Sequence, residues 1–172
     1  MVTENNLKGN IIFYTRTGKT RAIAEAIREL YPYDLQEIID LRDRSGLLGY
    51  ISGVIDILFR PITEISPKEV NLDSYNLLYI GAPIWGNRFP PAITTFFSTA
   101  RFPDKKVILF ADFGSGMKDS IFAQYSKLIS DRGGEVISTF KVKTRGKSID
   151  AIKDETRQIL RKNPITDSTR TL

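Results

Sequence analysis

Residues Thr15-Arg16-Thr17-Gly18-Lys19-Thr20 place three hydroxyls, two cations and one glycine within six positions. They follow an apolar run that reads as a buried strand, Asn10–Tyr14, and precede an amphipathic pattern, Arg21–Leu30. At a strand-to-helix turn the first N–H groups of the helix have no intrahelical partner, and the helix dipole gathers partial positive charge among them. Thr15, Thr17 and Thr20 add hydroxyl donors, and Gly18 lets the backbone come close to a ligand. The chemistry this suits is the capture of a phosphate group. Arg16 and Lys19 either add charge to that capture or point to solvent.

Several other chemistries are closed to this chain. It has no cysteine and no histidine, which removes thiol catalysis, iron–sulfur ligation, Ser-His-Asp triads and the usual zinc sites. Reactivity must come from a cofactor, from carboxylates, or from hydroxyls and lysines. Gly18-Lys19-Thr20 resembles the end of a nucleoside-triphosphate loop, and Ile108–Asp112 imitates the strand carrying its magnesium ligand. That loop needs a further glycine five residues before Gly18, where this sequence has Phe13, so nucleoside triphosphates are set aside.

The elements that must position the loop alternate regularly. Strands are predicted at Asn10–Tyr14, Asp34–Ile39, Leu77–Gly81, Lys106–Ala111 and Glu135–Val142. Helices are predicted over Arg21–Leu30, Pro91–Thr99, Asp119–Asp131 and Ser148–Arg161. The unbroken apolar runs suit parallel strands buried on both faces. This alternation implies an α/β fold: a three-layer, open, parallel five-stranded sheet of order 2-1-3-4-5. In that order ligands bind beyond the C-terminal ends of the strands, where the chain reverses direction. Three loops leave those ends, Thr15–Thr20, Ala82–Pro90 and Asp112–Lys118, and the geometry predicts that they converge.

The 172 residues are expected to form one domain, with 1–7 and 163–172 flexible. No apolar run reaches the ~18 residues of a membrane span, and no signal-peptide pattern opens the chain, so the expected compartment is the cytoplasm. Leu47–Phe59 is an apolar, helical-looking segment; it reads as a core-covering helix or as an apolar flap or dimer surface beside the ligand. The net charge is +5, from 25 basic and 20 acidic residues. This is a mildly basic surface or the mark of an acidic partner; aromatics are not interleaved with the basic residues as nucleic-acid binding would need. Lys141, Lys143, Arg145 and Lys147 alternate, so an extended chain puts them on one face. They read as edge-strand protection or as a docking stripe for an acidic partner or a dinucleotide phosphate.

The other two loops carry their own signals. Trp85 follows a strand directly, between Pro83 and Gly86, and is either a core plug or a stacking surface for a planar ring. Gly86, Gly114 and Gly116 let backbone N–H groups approach ring heteroatoms, and Asn87 and Ser115 are hydrogen-bonding partners for a ring edge. Asp112 is either a cap or outward turn residue, or a negative charge beside the ligand.

Thr15–Thr20 has the form Thr-x-Thr-Gly-x-Thr and resembles the phosphate loop of the flavodoxin family. Gly81-Ala82-Pro83-Ile84-Trp85-Gly86-Asn87-Arg88 resembles that family's second loop, and Phe113-Gly114-Ser115-Gly116 its glycine-rich third loop. The resemblance spans about Lys8 to Lys162. It implies FMN, with the phosphate on Thr15, Arg16, Thr17, Gly18, Lys19 and Thr20. The ring would lie between Pro83, Ile84, Trp85, Gly86 and Asn87 on one side and Phe113, Gly114, Ser115 and Gly116 on the other. No catalytic side chain and no metal ligand is implied. The resemblance implies electron transfer to a redox partner protein or a small electron acceptor, without nucleic acid or a membrane span. The alternatives are an NAD(P)H-dependent FMN-containing reductase of quinones or other small acceptors, favoured by a homodimer through Leu47–Phe59, and a flavin-free interaction module. Two features depart from the family pattern: the chain is basic where many flavodoxins are acidic, and the third loop lacks the tyrosine that often stacks on the flavin, so that either Phe113 replaces it or that face is open to a substrate.

Overall fold

In the computed structural model, residues 8–42 and 62–164 are described. The chain runs β1 (Gly9–Phe13), α1 (Lys19–Leu30), β2 (Asp34–Glu37), β3 (Ile39–Asp40), β4 (Ile65–Ser66), β5 (Leu77–Pro83), α2 (Pro91–Thr99), β6 (Lys106–Phe113), α3 (Ser120–Ser130), β7 (Glu135–Lys143) and α4 (Ile149–Lys162). Strands β2-β1-β5-β6-β7 form one parallel sheet in that order. Renumbered along the chain, this is the expected 2-1-3-4-5 arrangement.

The middle strands take this position because their side chains are apolar on both faces. All of β1 and the first six residues of β5 are buried. Ile12, Ile80 and Leu109 face one way, onto Ile93 and Phe96 of α2 and Ile121 of α3. Ile11, Tyr79 and Ile108 face the other way, onto Ile23 of α1 and Ile152 and Leu160 of α4. Each such side chain contributes about 1.5–3 kcal/mol on burial. Gly81 sits opposite Phe110 in the register, and a Cβ there would stand 2.2 Å from the Phe110 ring, so the missing side chain lets that ring pack.

The predicted strand Asp34–Ile39 is divided. Beside β1 the pairing covers Asp34–Glu37, and the Ile38 amide then donates to the Phe13 carbonyl at 2.7 Å. Ile38 is fully buried whereas Ile39 is 51% exposed, because Ile39–Asp40 leaves the sheet to pair antiparallel with Ile65–Ser66. The basic stripe is shorter than its alternation suggested. β7 is an edge strand ending at Lys143, and Arg145 and Gly146 form a turn, Gly146 having φ 75°. Only Lys141 and Lys143 therefore share a strand face. Leu47–Phe59, residues 1–7 and residues 165–172 lie outside the described residues. Asn163, expected in the flexible tail, is held by its backbone and side-chain amides, which donate to the Ile159 carbonyl at 3.1 and 3.2 Å. No helix among the described residues is long and apolar enough to cross a membrane.

Candidate functional site

Each of the three loops leaves the C-terminal end of a central strand, and hydrogen bonds and ring contacts tie them to one another. The first links β1 to α1. The Thr15 hydroxyl oxygen accepts from the Gly18 amide at 3.0 Å, and Gly18 enters the helix with φ 81°, a left-handed conformation that glycine adopts without strain. No side chain caps this helix start, and its first turn has no acidic residue. The amides of Lys19, Thr20 and Arg21 have no helical carbonyl four residues before them, which leaves them suited to an anion.

The side chains of this loop go to definite places. The Arg16 side chain is exposed, yet its guanidinium lies 5.6 Å from the Trp85 ring centroid, so it reaches from the first loop to the second. Lys19 is half-buried, and its Nζ donates to the Thr144 carbonyl at 3.3 Å. Thr17 is exposed. Thr20 is buried, and its hydroxyl donates to Asp112 Oδ1 at 2.5 Å, across to β6.

Pro83, Ile84 and Trp85 are half-buried, and a tight turn follows. Trp85 and Arg88 exchange two backbone hydrogen bonds, of 2.9 and 3.0 Å. Between them Gly86 and Asn87 both have positive φ, 52° and 63°, as a type I′ turn requires. The Trp85 indole meets the Tyr14 ring edge-on, with centroids 5.8 Å apart, and its inner side packs on the core. Trp85 is therefore anchored on one side in the core and accessible on the other. Beneath the turn, Phe89 meets Tyr125 of α3 at 4.5 Å between centroids, which fixes where the turn stands.

The second and third loops are joined directly. The Lys118 amide donates to Asn87 Oδ1 at 3.0 Å, and the Ile84 amide donates to the Asp112 carbonyl at 2.8 Å. Phe113 is half-buried, whereas Gly114, Ser115 and Gly116 are exposed. A Cβ at Gly18, Gly86, Gly114 or Gly116 would meet nothing within 4 Å, so all three loops border open space with bare backbone. Among the described residues no cluster of acidic side chains could hold a metal ion.

Asp112 differs from its sequence reading as a cap or outward turn residue. It is 5% exposed, at the penultimate position of β6. Its second oxygen accepts from the Thr144 hydroxyl at 3.4 Å. Burial pushes its carboxyl above the ordinary value, opposed by the Thr20 and Thr144 hydrogen bonds and by the Lys19 charge. Thr144 is the residue sequence reasoning missed. The signal was in the alternation itself: if Lys143 and Arg145 point outward, Thr144 between them points in, and it is 2% exposed.

With this geometry in place, comparison with known proteins gives a consistent result. A family model described as flavodoxin matches residues 52–145, more than half of the chain; the match begins after Thr15–Thr20. A crystal structure from Bacteroides uniformis, named provisionally as a flavoprotein, superposes with a TM-score of 0.75 at 20% identity, over 91% of this chain and 99% of that one. A flavoprotein from Lactobacillus acidophilus in complex with FMN gives 0.64 at 20% identity, over 78% and 92%. Oxidised flavodoxin 2 from Bacillus cereus gives 0.54 at 16% identity, over 90% and 99%. At these identities the superpositions speak to the fold. No curated protein matches the chain.

Proposed function

Because the chain belongs to the flavodoxin family, we propose that it binds FMN among its three loops and transfers electrons. The observation that carries this reading is the interlocking of the loops. Arg16 reaches Trp85, Asn87 holds the Lys118 amide, and Thr20 holds Asp112, all at the C-terminal end of β1, β5 and β6 and beside an uncapped helix start. The FMN-bound relative from Lactobacillus acidophilus shares the fold and supports the choice of ligand.

The residues fit that group. The start of α1 supplies amides and partial positive charge for a phosphate, with the Thr15 and Thr17 hydroxyls adjacent. Trp85 offers a half-buried aromatic surface for a planar ring, Gly86, Gly114 and Gly116 offer backbone unobstructed by side chains, and Ser115 is exposed between them. The bound flavin supplies the redox chemistry. The chain's own task is to hold the ring against Trp85, to shield one side of it with the 85–88 turn, and to set the local charge. Arg16 and Lys19 favour added negative charge, and an ionised Asp112 opposes it.

The test is titration of purified protein with FMN. One equivalent is expected to bind, with a shift in flavin absorbance and loss of flavin fluorescence. Dithionite is then expected to reduce the complex at a potential different from that of free FMN. Absence of binding would overturn the reading. Rapid catalytic reduction by NADPH would replace electron transfer with a reductase activity.

A further inference from the structure

The group left unexplained by cofactor binding is the buried carboxylate under the first loop. Asp112 is 5% exposed, and both its oxygens are engaged by threonine hydroxyls from opposite sides. Thr20 from α1 reaches Oδ1 at 2.5 Å, and Thr144 from beyond β7 lies 3.4 Å from Oδ2, its proton shared with the Phe113 carbonyl at the same distance. Thr20 is the last hydroxyl of Thr15–Thr20, in the first turn of α1. A hydroxyl has one proton to donate. While the Thr20 proton is directed to an ionised Asp112, it is not available to an anion at the helix start.

We propose that Asp112 is a proton-linked latch on the first loop. Ionised, it holds the Thr20 proton and places a negative charge beside the phosphate site. Protonated, it donates its own proton to Thr20 Oγ1 and leaves the Thr20 O–H to turn toward the phosphate. Asp112 is a positioning residue, acting on the ligand through Thr20. The inference rests on FMN being the ligand.

The surroundings of Asp112 make its proton the sensitive one. Lys19, the charged group that faces it from α1, spends its Nζ on the Thr144 carbonyl 3.3 Å away. Its β7 neighbour in the register is the apolar Val142, and Lys143 beside it is exposed. From β5 it faces Pro83 in the register. Burial is therefore opposed by two hydroxyls, one lysine and a backbone hydrogen bond, and its net effect is to raise the carboxyl's affinity for a proton.

The test compares FMN with riboflavin, which has the same ring and no phosphate, in the parent protein and in Asp112→Asn. Asparagine carries no charge, and its N–H donor can turn to Thr20 Oγ1 while its oxygen accepts from Thr144. Near pH 5 the two proteins are expected to bind FMN similarly. By pH 8 Asp112→Asn is expected to bind it on the order of tenfold more tightly, the worth of one hydrogen bond to a charged group. Riboflavin affinity is expected to be the same in both proteins at every pH. Phosphate ionisation is common to both proteins and cancels in the ratio. Calorimetry in buffers of different ionisation enthalpy reads the same event as a proton uptake with FMN that is larger in the parent protein than in Asp112→Asn, and equal in the two with riboflavin. Asp112→Ser, which is uncharged and too short to hold the Thr20 hydroxyl, is a second variant expected to bind FMN more tightly than the parent at pH 8.

Equal FMN affinities at pH 8, or a riboflavin change as large as that for FMN, would overturn the latch and leave FMN binding standing. Failure of both proteins to bind either flavin would overturn the cofactor reading and the latch together.

Discussion

At the scale of single residues, Asp112 and Trp85 each serve two demands. A carboxylate as buried as Asp112 is costly when ionised, and its threonine partners and Lys19 only partly offset that cost. The sign of the consequence follows. Its pKa is raised on folding, chiefly by burial, so the folded state holds the proton to a higher pH than the unfolded chain does. Stability therefore declines as pH rises from the ordinary carboxylate value through the raised one. Asp112→Asn is expected to remove that decline and to raise the Tm at neutral pH, as thermal denaturation across pH 4–8 would show; a lowered Tm at neutral pH would contradict it. Trp85 packs inward on the core and meets the Tyr14 ring edge at 80° while part of it stays accessible. Trp85→Ala is expected to weaken FMN binding roughly tenfold or more, the scale of one aromatic stacking contact. Trp85→Phe, which keeps a ring, is expected to recover most of that affinity in fluorescence titrations. Equal losses in the two variants would indicate that indole-specific contacts, rather than stacking, carry the effect.

At the scale of elements, the central strands and the helices that cover them depend on close complementarity. Gly81→Ala would put a methyl carbon 2.2 Å from the Phe110 ring, and both residues sit in the middle of the sheet. A cost of about 1–3 kcal/mol is expected, read as a lower midpoint in urea denaturation. The α1–α4 contact is of a different kind. Lys153 bridges Glu25 and Glu29, and Arg157 bridges Glu29 and Asp154. The Lys153 hydrogen bond holds the Glu29 carboxyl below its ordinary value, with Arg157 adding to it against the opposing push of burial. Its stabilisation is thus present above the ordinary glutamate value and lost as pH falls through the lowered one. Because the Glu29 side chain is 45% exposed, Lys153→Met is expected to cost less than about 1 kcal/mol, and less still in high salt. These elements were legible in the sequence where burial is two-sided: the apolar runs of β1, β5 and β6 carry the sheet, and Pro91 marks the start of α2 as expected. The β3–β4 ribbon was not legible, because its two-residue strands owe their existence to a partner about 25 positions away rather than to any local pattern. The same holds within the site. Loop convergence follows from strand order, whereas the Thr20–Asp112–Thr144 network joins positions 92 and 32 residues apart, which no local spacing reveals.

At the scale of the whole molecule, the chain has a surplus of five positive charges, and three exposed cations stand beside the third loop. Lys118 at the end of the third loop, Lys143 at the end of β7 and Arg145 in the following turn are all exposed, and Lys143 is in register with Phe113 at the start of that loop. The acidic residue nearest in sequence to Lys118, Asp119, is engaged by Lys141 at 2.5 Å. The field at this rim is therefore positive, and it should act on whatever exchanges electrons there. The expected outcome concerns reoxidation of the reduced, FMN-loaded protein. An anionic oxidant such as hexacyanoferrate(III) should react fastest at low ionic strength and slow by about tenfold as salt shortens the screening length. A cationic oxidant such as hexaammineruthenium(III) should show the opposite slope. Lys143→Glu/Arg145→Glu should flatten both slopes when FMN is kept at saturation, so that a change in its affinity does not enter. If the slopes are flat in the parent protein, the basic residues serve edge protection and solubility, and the electron partner is selected by shape and apolar contact instead.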